Sequence, residues 1–322
     1  MLSPAGSRAR LSILIYHRVL PRPDPMLPGD PDAATFRWQM QTVARLFNVL
    51  PLSGAVERLA SGSLPPRAAC ITFDDGYADN AEVALPILRA LDLPATFFVA
   101  AGYLDGGMMF NDRVIETVRR LPEGEVDLGA VDMAPQSISS ISDRIALAMQ
   151  VIKQIKHLDP AERDEKVQAL VELNNDTLPR DLMMRSAQLQ ELADAGMTIG
   201  GHTLSHPILA RISDARARQE IAAGRETLES ILRQPVKLFA YPNGKPGQDY
   251  AAQHVSMVRE CGFDAAVSTA WGVSTRHHDP YQLARFTPWD HTPLRFGARL
   301  VRNLMQSQPQ HVQGASVKSL RR

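Results

Sequence analysis

The sequence predicts an α/β protein built on a parallel sheet or barrel. Leu11–Tyr16, Arg67–Phe73 and Pro94–Ala100 are nearly continuous apolar runs rich in β-branched and aromatic residues, the pattern of strands covered on both faces. Between them lie stretches with the 3.6-residue period of helices, so strand and helix alternate as crossover-linked parallel strands require. Two of the strand-like runs also end in side chains that are rarely buried without a partner, acids in one case and histidines in the other.

The elements follow in order. Residues 1–10 read as a leader before the strand Leu11–Tyr16, and five prolines between Pro21 and Pro31 mark a surface loop. Phe36, Met40, Val43 and Leu46 share one face of a helix over 34–47; a short strand at 47–52 and a helix at 52–61 follow. Ala84, Leu85, Leu88 and Leu91 place a helix over 79–91. Residues from about 104 to 185 break the alternation, with helical stretches at 138–158 and 160–174. Asp159 stands as the N-cap of the second and Pro160 in its first turn. This region reads as a helical insertion beside the barrel. After it come a helix at 186–195, a strand at 197–199, a helix at 213–232, a strand at 236–240, a helix at 248–261, strands at 265–269 and 281–286, and an amphipathic helix at 293–306. A single domain over 11–305 is expected, with a polar, disordered tail at 306–322.

Composition excludes several classes. The 322 residues are 44% hydrophobic and 22% charged, with a formal net charge of zero, ordinary for a globular protein and giving no reason to expect a nucleic-acid partner. Cys70 and Cys261 read as small core residues rather than a disulfide framework. No run reaches the length of a membrane span, and Leu11–Tyr16 is too short for a signal-peptide core, so a cytoplasmic enzyme is expected. Nothing in the sequence specifies an oligomeric state.

The chemistry concentrates at two strand ends. Ile71-Thr72-Phe73-Asp74-Asp75-Gly76 closes a strand on two carboxylates that alternation points in different directions, suiting one to a metal and the other to a reacting proton. Met197-Thr198-Ile199-Gly200-Gly201 leads into His202-Thr203-Leu204-Ser205-His206, whose i, i+4 histidines fall on one face of a helical turn. Two imidazoles and one carboxylate can hold a divalent cation and leave positions open for water and substrate.

Thr72-Phe73-Asp74-Asp75-Gly76 followed by His202-Thr203-Leu204-Ser205-His206 resembles the polysaccharide deacetylase family, the NodB-homology group of carbohydrate esterases. Phe239-Ala240-Tyr241-Pro242-Asn243-Gly244 is similar to that family's third motif, and the likeness runs from about Ile13 to Phe286. The resemblance implies an irregular (β/α) barrel with its site at the C-terminal ends of the strands. It implies metal-assisted hydrolysis of an N-acetylated sugar, glycolipid or polysaccharide, in exopolysaccharide or envelope glycan metabolism. Asp75, His202 and His206 would hold a divalent metal, most simply Zn²⁺; Asp74 would be the general base, and the backbone N–H of Asn243 an oxyanion donor. Tyr241, Pro242, Trp271, His17 and Asp112 are candidates to line the substrate site.

The sequence also departs from the family pattern. The third motif's base-orienting arginine is replaced by Ala240, and the late Leu-x-His motif reads Leu283-Ala284-Arg285. Arg285 does not give up a proton at neutral pH, so it could stabilise an oxyanion or hold an anionic substrate but not act as the general acid. A cyclic amide or imide hydrolase on the same fold, and a non-catalytic carbohydrate-binding member of a polysaccharide assembly complex, are the competing readings.

Overall fold

The computed structural model describes residues 3–173, 178–288 and 290–313. Its strands are β1 (Ser12–Tyr16), β2 (Asn48–Val49), β3 (Ala68–Phe73), β4 (Thr96–Val99), β5 (Gly124–Val126), β6 (Gln136–Ile138), β7 (Thr198–Gly201), β8 (Leu238–Ala240) and β9 (Ala265–Val267). All but the β5–β6 hairpin join one parallel sheet in the order β1-β3-β4-β7-β8-β9, with β2 beside the start of β3.

The sheet curls until its edges meet. Residues 283–286 bridge β9 to β1: Leu283 N donates to Ala266 O and Phe286 N to Ile13 O. The expected last strand is therefore a stave of single bridges, and Pro280–Gln282 ahead of it forms a 3-10 turn, where Pro280 has no N–H for a ladder. The α/β barrel expected from the sequence is thus present, in irregular form.

Alternation sorts the strand residues into two layers. Ile13, Cys70, Phe98, Leu238, Ala240 and Val267 fill the barrel. Leu14, Tyr16, Ile71, Phe73, Phe97, Val99 and Phe239 pack outward. Outside run α1 (Ala33–Leu46), α2 (Leu52–Ser61), α3 (Leu85–Ala90, after a π-helical stretch at Asn80–Ala84), α7 (Ser186–Asp194), α8 (Asp214–Leu232), α9 (Ala252–Glu260) and α10 (Pro293–Met305).

The insertion comprises α4 (Phe110–Arg120), the hairpin, α5 (Ile141–Ile155) and α6 (Pro160–Val171). It has its own core, including Val114, Val118, Leu147, Val151, Val167 and Leu170. The helix expected from residue 138 begins at Ile141, because Ile138 pairs with Gly124 in the hairpin and Ser140 caps the helix by accepting from Asp143 N. Asp159 and Pro160 do open α6, while Asn174, its expected end, lies outside the described residues.

The chain ends differ from the sequence reading where they are described. Ser3 and Ala9 are buried, and Gly6 N donates to Leu64 O, so residues 3–10 pack on the body. Residues 306–313 are held by Val312 N on Gln282 Oε1 and Gln310 Nε2 on Pro246 O; residues 314–322 of the expected tail lie outside the described residues.

Candidate active site

The parallel register of β1 and β3 pairs Tyr16 with Phe73, and Asp74 N donates to Tyr16 O. His17 and Asp74 therefore leave the barrel side by side at its C-terminal mouth. Cys70 and Thr72 face inward, and Asp74 follows them by the same alternation. There it meets Arg285, whose Nη1 and Nη2 each lie 2.7 Å from one carboxylate oxygen. The same guanidinium donates to Thr72 Oγ1 at 3.2 Å and, through Nε, to Ser268 O at 3.0 Å. Arg285 is fully buried. This corrects the expectation for Arg285: four of its five N–H groups are engaged and it does not line the cavity, so it is placed to fix Asp74 rather than to reach an oxyanion or hold substrate. Burial drives the Asp74 carboxyl upward, yet Arg285 and His202 outweigh it and hold the group below the usual carboxylate range.

Asp75 turns away because the chain enters the left-handed region, with φ 79° at Asp75 and 93° at Gly76. A Cβ at Gly76 would come within 2.8 Å of Val99 Cγ1, so the turn needs glycine on both counts. Asp75 Oδ1 lies 3.4 Å from His202 Nε2 and 3.3 Å from His206 Nε2.

The two histidines are not on a helical turn as their spacing suggested. Thr203 (φ 67°) and His206 (φ 54°) are left-handed, which a helix does not allow, and the segment is a loop after β7. Thr203 Oγ1 accepts from His206 N, and Glu220 of α8 accepts from both the N–H and the hydroxyl of Ser205. Gly224 lets α8 approach: a Cβ there would stand 2.5 Å from the Thr203 carbonyl carbon. The rings still meet, with centroids 4.7 Å apart.

These three side chains fit a divalent cation. Their ligand atoms lie within 4.8 Å of one another. Asp75 Oδ1 is buried without a hydrogen-bond partner, an expensive state for a carboxylate oxygen unless a cation faces it. His202 Nδ1 lies 2.7 Å from Ala240 O, which only accepts, so Nδ1 carries the proton and Nε2 presents its lone pair toward Asp75. Burial pulls His206 down to about 4, which keeps its imidazole neutral and able to ligate.

A cavity of about 360 Å³ opens over the group, lined by His17, Asp74, Asp75, His202, His206 and Asn243, and on the insertion side by Phe110, Asp112 and Lys156. Asn243 has φ 60°, and its N–H finds no acceptor among the described residues. Asp112 is buried, its carboxylate accepting from Tyr77 OH at 3.2 and 3.0 Å; burial, with Asp75 and Glu116 adding to it, pushes its pKa up to about 7. Three candidates do not reach the cavity. Tyr241 is fully buried and stacked on Tyr250 at 3.9 Å, because alternation puts it with Phe239 on the outer layer. Pro242 is buried beside it. Trp271 lies under Arg302 of α10, 4.6 Å from its guanidinium. The sequence reading missed Arg18, Asp30 and Lys156 in the lining, and no motif marked them.

Comparisons with known proteins agree with this architecture. The polysaccharide deacetylase family model matches residues 61–146 and 147–266. A Bacillus subtilis (strain 168) protein provisionally named polysaccharide deacetylase YxkH is 20% identical over 278 residues, 86% of this chain and 71% of that protein. The structure of the Streptococcus pyogenes deacetylase PplD in complex with acetate shares the fold, with a TM-score of 0.61 at 18% identity over 92% of this chain and 98% of that one. IcaB from Ammonifex degensii does so with a TM-score of 0.58 at 17% identity over 94% and 99%. With its family motifs gathered at the mouth of a barrel of that fold, the chain belongs to the polysaccharide deacetylase family, hydrolases of carbon–nitrogen bonds.

Proposed function

We propose that this protein removes the acetyl group from an N-acetylated sugar unit of a glycan or glycolipid, with Asp75, His202 and His206 holding a divalent metal, most simply Zn²⁺. The observation that carries the proposal is the Asp74–Arg285 pair beside that ligand set, because it restores from another strand end the arginine missing at position 240. When bound, the metal supplies Lewis acidity at the acetyl carbonyl and eases deprotonation of water.

The chain's own groups account for the proton traffic. Asp74, held ionised and oriented by Arg285, takes the proton of the attacking water. The Asn243 N–H faces the oxygen on which negative charge develops. His17 stands beside Asp74 at the strand ends and lines the cavity; its imidazole delivers a proton to the departing amine nitrogen, the task that Arg285 cannot perform. The cytoplasmic location belongs to this proposal too. The apolar stretch on which it rests is strand β1, buried in the barrel.

The experiment is acetate release from a panel of N-acetylated sugars and glycolipids, using chelated protein before and after Zn²⁺, Co²⁺ or Mg²⁺ is restored. Metal-restored release on one member of the panel is expected. Release that survives complete chelation, or a metal-loaded protein that hydrolyses none of them, would sink the proposal.

A further inference from the structure

A second cavity, of about 700 Å³, adjoins the first, and Phe110 at the start of α4 lines both. It reaches the two-histidine loop at Ser205, next in the chain to His206. Four arginines line it, Arg113, Arg163, Arg211 and Arg216, against the carboxylates of Asp159 and Asp164. Both carboxylates are engaged: Asp159 accepts from Ala161 N at the start of α6, and Asp164 pairs with Arg113 at 2.5 Å. Arg216 comes only to 3.7 Å of Glu220, whose oxygens already accept from Ser205.

That leaves guanidinium groups without acceptors. Arg163 is 9% exposed and lies over the Phe110 ring, its Cζ 4.2 Å from the centroid. Neither it nor Arg211 makes a side-chain hydrogen bond or ion pair among the described residues. The Arg163 side chain is largely covered but its nitrogens still reach the cavity, so with both nearby carboxylates engaged the space is lined by guanidinium N–H groups that only solvent or a ligand's oxygens can satisfy. Ser213, the N-cap of the 19-residue helix α8, lines the same space, and the positive end of that helix acts in the same direction.

We propose that this cavity binds a phosphate or carboxylate group carried by the glycan. The substrate would then be an anionic N-acetylated glycan that extends past Phe110 from one cavity into the other; this rests on the deacetylase reading above. Arginine suits the task because its planar fork pairs bidentately with either oxyanion.

The test has two arms, both on the full-length, metal-loaded chain. The first is calorimetric binding of inorganic phosphate to wild type, Arg163→Gln and Arg211→Gln. Each substitution is expected to weaken binding about tenfold. Arg211 is exposed, so Arg211→Gln remains informative should Arg163→Gln fail to fold. The second arm compares KM for three N-acetylated oligosaccharides: one bearing a phosphate, one a uronic carboxylate, and one neutral. The matching anion is expected to show the lower KM, and Arg211→Gln to erase about tenfold of that advantage with kcat held. The phosphate and carboxylate arms distinguish the two sources of the oxyanion. Equal phosphate affinity in all three proteins overturns the site, and equal KM for all three substrates overturns its role in choosing them. Phosphate binding that weakens as expected in a protein that deacetylates nothing would support the anion site and reject the deacetylase reading.

Discussion

In the barrel, each group proposed to react stands at the end of a strand whose register is set by its neighbours: Asp74 after β3, His202 after β7, Asn243 after β8. In the insertion, Phe110, Asp112 and Lys156 reach the same cavity from helices packed on a separate core. The strained backbone divides in the same way. Asp75, Thr203, His206 and Asn243, all left-handed non-glycine residues, lie at the barrel mouth, a conformation that costs on the order of 1–3 kcal/mol each and that only a well-determined surrounding maintains. Among its described residues the insertion contributes Asp105 and Asp132 in that region, and neither lines the cavity. On the proposed mechanism the barrel would fix the reaction and the insertion would shape what can approach it.

Barrel substitutions should therefore cost the most. Asp74→Asn is expected to lower kcat for acetate release about 10²–10⁴-fold while bound metal, measured by elemental analysis, stays at the wild-type level. Metal lost along with activity would show that Asp74 is a ligand rather than the base. Arg285→Ala leaves a buried carboxylate unpaired and should reduce unfolding stability in denaturant by about 3–5 kcal/mol. Its pH dependence has a definite sign. Asp74 has a depressed pKa in the fold, so the pair's contribution is present above the ordinary carboxylate pKa and fades as pH falls through the lowered one. The difference between wild type and Arg285→Ala should accordingly shrink below about pH 4.

Much of the barrel half of this contrast was legible in the sequence, because Asp74-Asp75 and His202–His206 are local patterns at the ends of recognisable strands. The pairing of Arg285 with Asp74 was not. It joins residues 211 positions apart, and only ring closure at 283–286 shows that their strand ends are neighbours. The i, i+4 spacing of the histidines misled for a different reason: two left-handed residues in a loop bring the rings together as well as a helical turn would. The place of Tyr241 could have been read, since alternation puts it with Phe239 on the outer face. Of the insertion, Asp112 was already a candidate from the sequence and does line the cavity; Lys156 left no such trace, because a helical period marks the face that packs on a core and is silent about a residue at a helix end.

Insertion substitutions should act more gently, and the first also carries a pH signature. Asp112 is raised to about 7 in the fold, so between pH 4 and 7 the folded chain holds a proton that the unfolded chain gives up, and stability falls as pH rises across that window. Asp112→Asn removes this dependence. It should be more stable than wild type at pH 8, by at most about 4 kcal/mol, and show no such gain at pH 4. If it instead abolished kcat as fully as Asp74→Asn, the division of labour would be broken. The smallest effect belongs to the Lys166–Asp132 ion pair on the insertion's rim: Lys166→Gln should leave the denaturation midpoint almost where it is in wild type, and closer still in high salt.

The closing stave has a consequence for when the protein becomes active. Arg285 lies on the segment that joins the last strand to the first, so Asp74 gains its partner only once most of the chain has been synthesised and the ring has shut. A nascent or truncated product that ends before residue 285 can carry both carboxylates and both histidines and still lack the group that orients Asp74. The site's full geometry is thus timed to completion of the barrel, and an unfinished chain holds an Asp74 that nothing orients.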